Sequence, residues 1–293
     1  MPLRPCPARE RPAEPLLGDD ILGKTVNTFI SDQEFSQFQK LLHQLAGIHL
    51  SAEKKAMVCG RLAKRLVQHG IDSYGEYFQM LTAGNNATEL QVALDLLTTN
   101  ETYFFREPKH FAFLRDKVLP AHKPGRSFRA WSAACSSGEE PYSIAMLLAD
   151  HFGDVPWEVL ASDISSRMLE KARTGHYPLE RTDGISREHL SRYCLKGIGP
   201  QQGTLLIERK LRERVNFQQV NLSKALPALG EFDLILLRNV MIYFNLDTKR
   251  EVMRRLLPLL RPGGYFLIGH SETLNGVVDG IRMLTPSIYQ KPR

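Results

Sequence analysis

The stretch from Ser127 to Leu148 constrains the fold of this chain most. It begins with alternating bulky residues, continues through a run of small residues and then changes to apolar residues at helical spacing. Pro141 suits the first turn of a helix, because the N–H group that it lacks has no partner there. The stretch therefore predicts a strand, a tight turn and a helix, which form the first unit of a nucleotide-binding α/β sheet.

The turn in this stretch differs from a dinucleotide-binding fingerprint. Only Gly138 remains of the expected glycines, and Glu139 and Glu140 follow it at the predicted start of the helix. A helix N-terminus attracts anions, but two acids there repel a pyrophosphate, which argues against a nicotinamide dehydrogenase. They favour a ligand that carries positive charge, such as a sulfonium with an ammonium group. A second interpretation stays open, in which the acids only favour helix initiation.

Composition narrows the class of protein. The 293 residues leave room for one large domain or two smaller ones, and no apolar run reaches membrane-spanning length. The four cysteines are scattered, which predicts free thiols in a cytoplasmic protein. The net charge of +6 is compatible with an acidic partner, either a nucleic acid or an acidic protein surface.

The N-terminal third changes character once. Residues 1–27 are rich in proline and charge, which predicts a disordered tail. Residues 28–97 then show helical spacing, which predicts a small all-helical domain, and Ser31 with Glu34 forms a capping box at its start. The predicted helices are residues 31–47, 51–70, 74–81 and 88–97.

A basic stripe lies on the second predicted helix. At 100° per residue, Lys54, Arg61 and Arg65 fall on one side of its apolar face. A solvated charged face is the usual explanation of such a pattern. Because the stripe has a single sign of charge, an acidic partner is the other interpretation.

Residues 98–125 are predicted to link the helical domain to the α/β domain. Their beginning, within LTTNETYFFREPKHF at residues 97–111, mixes polar hydrogen-bonding groups with aromatic rings. Such a composition suits a segment that lies over a ligand site. The sequence therefore predicts that this linker contributes to an active site.

Two later strands are predicted to end in polar side chains. The strand at residues 157–161 is followed by Asp163, which is placed to accept hydrogen bonds from ribose hydroxyl groups. The strand at residues 215–220 is followed by Asn221, which could meet an adenine or serve as an ordinary turn residue.

The remaining pattern continues the alternation of strands and helices. We predict strands at residues 232–237 and 265–269, a helix at 248–260 and a final antiparallel strand at 283–290. A minimal doubly wound fold does not need residues 176–215. Their glycine turns and short strand predict an inserted β subdomain with an open edge.

Three of these segments together resemble the chemotaxis receptor methyltransferase family (CheR). They are residues 97–111, residues 127–148 and RNVMIYF at Arg238–Phe244, and the resemblance runs from about Ser31 to the C-terminus. It implies an α/β class I methyltransferase dependent on S-adenosylmethionine (SAM), with a doubly wound, mostly parallel sheet in residues 126–293. A small all-helical N-terminal domain and an inserted antiparallel β subdomain complete this fold.

The resemblance also implies an activity. Methyl groups would pass from SAM to glutamate carboxylates of chemoreceptors, leaving methyl esters and S-adenosylhomocysteine, without a metal. The partners implied are the cytoplasmic domain of chemoreceptors and a C-terminal receptor peptide, with no nucleic acid and no membrane insertion. The protein is expected in the cytoplasm, recruited to membrane receptor arrays.

The site residues follow from the same resemblance. Arg106 and Tyr243 are expected at the transfer site. Cofactor contacts are expected from Asn100, Thr102, Arg106, Glu140, Asp163, Asn221, Leu222, Asn239 and Val240. Substrate contacts are expected from the basic stripe, Lys54, Arg61 and Arg65, and from the glycines of the insertion, Gly197, Gly199 and Gly203.

The sequence also bears on two other functions. A nucleic-acid amino-methyltransferase usually follows its fourth strand with an Asn/Asp-Pro-Pro-aromatic segment, and the segment after residue 237 lacks both prolines. A SAM-binding adaptor without catalytic activity stays open, because binding and turnover use overlapping residues.

Overall fold

A computed structural model describes residues 4–5, 29–123 and 125–293 of the chain. The chain divides into two compact units, one spanning residues 9–99 and the other spanning residues 1–8 together with 100–293. Apart from Arg4 and Pro5, the tail predicted at residues 1–27 lies outside the described residues.

The described part of the first unit is helical, as the spacing of its apolar residues predicts. Its helices are α1 (Asp32–Ala46), α2 (Lys55–His69), α3 (Tyr74–Thr82) and α4 (Ala87–Leu97). The predicted capping box of Ser31 and Glu34 is present, and Gly47 ends α1 in the left-handed conformation. Phe38, Leu62 and Leu66 are fully buried, so α1 and α2 turn their apolar faces into one core.

Two residues of the basic stripe have partners inside this unit. Arg61 donates to the carbonyl oxygens at the end of α4, including that of Thr98 at 2.8 Å. Arg65 donates from Nε to Glu89 at 2.8 Å and forms an ion pair with its carboxylate. Lys54 is exposed. Receptor contact by the stripe therefore stays a prediction, with Lys54 as its freely accessible member.

The second unit carries the strands and the remaining helices. The strands are β1 (Arg4–Pro5), β2 (Phe128–Ser132), β3 (Trp157–Asp163), β4 (His176–Pro178), β5 (Cys194–Lys196), β6 (Thr204–Ile207), β7 (Val215–Gln219), β8 (Phe232–Leu237), β9 (Leu260–Ile268), β10 (Arg282–Thr285) and β11 (Ile288–Gln290). The helices are α5 (Pro108–Phe113), α6 (Glu139–Phe152), α7 (Ser166–Thr174), α8 (Arg187–Tyr193), α9 (Arg209–Arg212) and α10 (Leu246–Leu256).

The main sheet of this unit is mostly parallel, as predicted. Its order is β10-β11-β9-β8-β2-β3-β7, and the strands from β9 to β7 run parallel. All six residues of β8 are buried, as expected of a strand covered on both faces. The order reverses between β2 and β8, so the carboxyl ends of these strands border the crevice where such sheets bind ligands.

The insertion forms a small second sheet in the order β1-β5-β6-β4. Strands β4, β6 and β5 are antiparallel, which agrees with the predicted β subdomain. The outer edge of β5 is not fully open, because β1 pairs with it in parallel, with Arg4 opposite Leu195.

Several boundaries in the C-terminal part differ from the sequence-based prediction, and α10 spans Leu246–Leu256 rather than residues 248–260. The final antiparallel strand is a hairpin of β10 and β11 with Ser287 in its turn, because Pro286 has no N–H group to continue a ladder. Strand β9 begins at Leu260, five residues earlier than predicted, with a register shift before Leu234 of β8. None of the described helices is long and apolar enough to cross a membrane.

The Arg65–Glu89 pair gives a test of the helical unit. Burial would raise the pKa of Glu89, but hydrogen bonds from Arg65, Tyr77 and His69 outweigh it and hold the pKa below 4.5. Replacing Arg65 with alanine should lower the free energy of unfolding by about 2 kcal/mol at neutral pH, since a hydrogen-bonded charge pair is lost. The depressed pKa stabilises the fold above the unfolded pKa, so this difference should shrink as the pH falls through the folded pKa.

Urea unfolding of the full chain, followed by circular dichroism, measures both effects. The exposed Lys54→Ala is the matched control and should change the free energy of unfolding by less than about 0.5 kcal/mol. Equal stabilities of the Arg65 and Lys54 variants would contradict a structural role for the pair.

Candidate functional site

The turn between β2 and α6 is tied to the end of β3 by one carboxylate. Asp163 accepts hydrogen bonds from the backbone N–H groups of Ser136 at 2.8 Å and Ser165 at 2.9 Å. Ser136 adopts a left-handed conformation with φ of 47°. Asp163 is thus a fixed, buried acid at the carboxyl edge of the sheet.

Residues 100–107 form a segment that lies against this turn. The hydroxyl group of Ser136 donates to the carbonyl oxygen of Asn100 at 3.0 Å. Further along, the N–H group of Phe105 donates to the hydroxyl oxygen of Ser143 on α6 at 2.9 Å. Ser136 therefore connects the predicted contacts Asn100 and Asp163 within one hydrogen-bonded group.

The insertion holds the other side of the same segment. Arg181 donates to the carbonyl oxygen of Thr102 at 2.8 Å, and the buried ring of Phe104 meets Tyr177 edge-on at 4.9 Å between ring centroids. A Cβ atom on Gly184 would lie 2.0 Å from the carbonyl oxygen of Phe104. Only glycine allows this approach, so the insertion is fitted to the segment.

Arg238 is the hub of the site and is fully buried directly after β8. It donates to Glu140 at 2.8 Å and to Glu107 at 3.1 Å, and it also donates to the carbonyl oxygen of Arg106. These acceptors come from α6 and from the segment before α5. The acceptors are served by two separate nitrogen atoms, Nη1 and Nη2, whereas an ammonium group would have to donate from a single nitrogen.

Glu107, which pairs with Arg238, also connects it to the loops after β8 and β9. Its carboxylate also accepts from the N–H group of His270 at 3.1 Å and from the amide of Asn239 at 3.3 Å. Burial would raise the pKa of Glu107, but these donors and Arg238 outweigh it and lower the pKa. The carboxylate is therefore ionised near neutral pH. Burial, together with Arg238, lowers the pKa of the neighbouring His110 to about 4.

The two acids at the start of α6 point to different partners. Glu140 accepts from Ser132 at 2.7 Å as well as from Arg238. Glu139 is fully buried, accepts from Ser137 at 2.7 Å and lies 3.0 Å from Arg181. Burial raises the pKa of Glu139.

Arg106 does not form an ion pair with Glu101 or Glu107, the acids closest to it in sequence. It donates from Nη1 to the carbonyl oxygen of Glu101 at 2.8 Å, and its guanidinium lies 5.7 Å from the ring centroid of Tyr103. The side chain is half-buried. Within the described part of the chain, its remaining N–H groups are available to a bound ligand.

Two of the predicted cofactor-binding residues follow β7, and two follow β8. Asn221 accepts from the N–H and hydroxyl groups of Ser223, which is the turn interpretation of this residue, and Leu222 is buried beside it. Asn239 has a left-handed φ of 58°, and its N–H group donates to Glu272 at 2.9 Å. Val240 follows it directly and is half-buried.

Tyr243 is half-buried in the short 3-10 helix Met241–Tyr243. This helix directly follows Asn239 and Val240, so Tyr243 lies on the same loop at the carboxyl edge of the sheet. Its role stays a prediction.

The glycines of the insertion shape its turns. A Cβ atom on Gly197 would lie 1.9 Å from the carbonyl oxygen of Gln201, while Gly199 and Gly203 have φ of 55° and 84°. The turns themselves therefore require these glycines.

Cys135 is buried beneath the β2–α6 turn, and burial raises the pKa of its thiol well above the usual value, which leaves it unreactive.

Three supporting residues are absent from the sequence-based set of site residues. Arg238, Glu107 and Glu272 hold the loops of the site, and Glu272 alone accepts from the N–H groups of Asn239, Ile242 and Gly269. The sequence signal for Arg238 was its position directly after a strand that is buried on both faces. A buried cation needs acidic partners, and acids occur on both neighbouring segments.

Comparison with known proteins covers both units. Residues 33–98 match the family described as CheR methyltransferase, all-alpha domain, and residues 100–289 match CheR methyltransferase, SAM binding domain. The chemotaxis protein methyltransferase of Salmonella typhimurium is 42% identical over 92% of this chain and 93% of its own length. The protein of the same name from Escherichia coli K12 is 42% identical over 92% and 94%. That of Borreliella burgdorferi is 35% identical over 91% and 96%.

The hub can be tested by replacing Arg238 with lysine. An ammonium group cannot serve all three acceptors, so at least one buried carbonyl or carboxylate oxygen loses its donor. The free energy of unfolding should fall by about 1.5–3 kcal/mol, the cost of a lost hydrogen bond to a charged group. Denaturation of the full chain in urea measures the change. Arg254→Lys, in an exposed ion pair with Glu251 on α10, is the matched control and should leave stability unchanged. Equal stabilities would show that Arg238 is not a hub.

Proposed function

Since the chain belongs to the CheR family of SAM-dependent methyltransferases, we propose that it methylates glutamate side chains of chemoreceptors. The products are glutamate methyl esters and S-adenosylhomocysteine, and the esters serve sensory adaptation. In this proposal the protein works at the cytoplasmic domains of receptors and is recruited to membrane receptor arrays.

One observation carries the proposal, namely the docking of residues 100–106 on the β2–α6 turn. Through Ser136, this docking places the segment that bears Arg106 beside Asp163. In this proposal Asp163 accepts hydrogen bonds from the ribose hydroxyl groups of SAM, and the guanidinium of Arg106 donates to its carboxylate. Bound SAM supplies the electrophilic methyl group.

The residues of the chain then have to position the glutamate carboxylate that accepts the methyl group, rather than activate it. A glutamate side chain has a reference pKa of about 4.3, so it is already ionised near neutral pH and needs no general base. Holding a carboxylate in line with a methyl group is an orientation effect, which contributes about 7–11 kcal/mol in favourable cases.

Arg106 is the residue proposed to orient a carboxylate, either that of SAM or that of the substrate. Arg238 donates to the backbone carbonyl oxygen of Arg106, and the side chain of Arg106 donates to the carbonyl oxygen of Glu101. The residue is thus held at its backbone and at its side chain, and it is half-buried. Tyr243 is proposed to line the transfer site. Cofactor contacts are also proposed for Thr102, Leu222 and Val240.

The single sign of charge on the basic stripe supports an acidic protein partner, and Lys54 is the member of the stripe best placed to meet one, because it is exposed. A nucleic-acid amino-methyltransferase is less well supported, because the amide of Asn239 donates to Glu107 rather than standing ready for a base. An adaptor that binds SAM without transferring methyl groups is the alternative that the assay below distinguishes.

We further propose that a C-terminal receptor peptide docks on the insertion and tethers the substrate. A strand added at the edge of β5 would gain main-chain hydrogen bonds and would replace the short pairing with β1. Ile198 is half-exposed in the adjoining turn and offers apolar surface to such a peptide. Tethering raises the effective concentration of receptor without a new contact at the transfer site.

Methyl transfer from radiolabelled SAM to receptor-rich membranes tests the function directly. Label released by alkali indicates an ester, whereas label stable to alkali, or SAM binding without transfer, contradicts the proposal.

Arg106→Ala should lose most of the transfer while its circular dichroism spectrum stays unchanged. Arg106→Lys should recover only part, because an ammonium lacks the planar fork. Receptors with and without their C-terminal peptides, compared in the same assay, test the tether.

The contact of Asp163 with the cofactor is tested by calorimetry. Asp163→Ala should weaken SAM binding by about 1.5–3 kcal/mol, as expected for the loss of a charge-assisted hydrogen bond. Ser165→Ala is the matched control, because it removes the N-cap hydrogen bond to Met168 on α7 and leaves the carboxylate in place. If the two variants bind SAM equally well, Asp163 does not hold the ribose.

A further inference from the structure

A cluster of three possible metal ligands lies beside the hub. Glu107, His110 and His270 each offer one ligand atom, and these atoms lie within 4.8 Å of one another. Glu107 directly precedes α5 and His110 lies in its first turn, and Nδ1 of His110 is 3.3 Å from Oε2 of Glu107. The third follows β9, and its backbone N–H group donates to Glu107 at 3.1 Å. The fold thus holds the two contributing segments together.

His110 leaves one buried ring nitrogen without a donor. Its Nε2 atom lies 2.6 Å from the hydroxyl oxygen of Ser287, and that hydroxyl group donates to the carbonyl oxygen of Pro286. Ser287 therefore accepts from Nε2, and the lone pair of His110 is on Nδ1. Nδ1 is fully buried and has no hydrogen-bond partner among the described residues.

This lone pair faces a second electron-rich atom. The Nδ1 atom of His110 lies 3.3 Å from Oε2 of Glu107, and Nε2 of His270 lies 3.9 Å from the same oxygen. Two hydrogen-bond acceptors that face each other in a buried site repel each other unless a proton or a cation lies between them.

We propose that Glu107, His110 and His270 bind a divalent transition-metal ion such as Zn²⁺. Two imidazole nitrogens and one carboxylate oxygen suit zinc and its neighbours, whereas magnesium and calcium prefer oxygen ligands. Zinc ligands of these types lie about 2.0–2.2 Å from the ion and so about 3.4 Å from one another. The two separations from Oε2 of Glu107, 3.3 Å to His110 and 3.9 Å to His270, are close to that value. The side chain of His270 is 48% exposed and can rotate to complete the set.

The main opposing charge is the guanidinium of Arg238, which lies 3.1 Å from the same oxygen of Glu107. Two further carboxylates offset it. Glu140 pairs with Arg238 at 2.8 Å, and Glu272 accepts from the N–H group of Gly269, directly before His270. Three carboxylates against one guanidinium leave two negative charges, which a divalent cation neutralises. The ion would join α5 to the loop after β9, and it is not a cofactor of the methyl transfer proposed above.

Calorimetric titration of the full chain with ZnCl₂, in a weakly chelating buffer, tests the site without reference to methyl transfer. One equivalent of Zn²⁺ should bind, and MgCl₂ should give no heat. His270→Ala should weaken zinc binding at least tenfold, as should His110→Gln if its circular dichroism spectrum is unchanged. His151→Ala removes an exposed histidine elsewhere and should bind as the wild type does. The proposal is overturned if the wild type takes up no zinc or if His270→Ala binds zinc as tightly as the wild type.

Discussion

The buried guanidinium of Arg238 is the interaction on which the rest of the site depends. Removing a charge from water is costly, and only close acidic partners with good geometry offset that cost. Glu140 and Glu107 supply those partners from α6 and from the segment before α5. Three regions that are far apart in sequence must therefore come together for any of them to be stable. Arg238 directly follows a strand that is buried on both faces and its own side chain is 1% exposed, so water cannot solvate its charge.

This arrangement suits a reaction that needs placement rather than acid–base chemistry. Residues 100–107 have little regular structure of their own, yet hydrogen bonds with Ser136, Ser143, Arg181 and Arg238 hold them. Each of these anchors comes from a different part of the fold. A loop fixed at so many points loses little additional freedom when a ligand binds, and this preorganisation favours precise orientation of a carboxylate.

The periodic parts of the fold could be predicted from the sequence. Strand β8 and the capping box of α1 occur where the patterns place them, because local spacing and capping chemistry decide such elements. Long-range pairing could not be predicted in the same way. Helical projection groups Arg61 and Arg65 correctly on one side of α2, but it gives no information on the carbonyl oxygens of α4 or on Glu89. The partners of a charged residue depend on which helices become neighbours.

The same limit applies to the two acids that open α6. A local argument treats Glu139 and Glu140 as one patch of negative charge at a helix N-terminus. Successive residues on a helix point about 100° apart, however, so one carboxylate faces Arg181 of the insertion and the other faces Arg238. Each acid thus has its charge balanced by an arginine. Attraction for a cationic ligand cannot then rest on this pair alone, and the proposed contact between Asp163 and the ribose is an independent part of cofactor recognition.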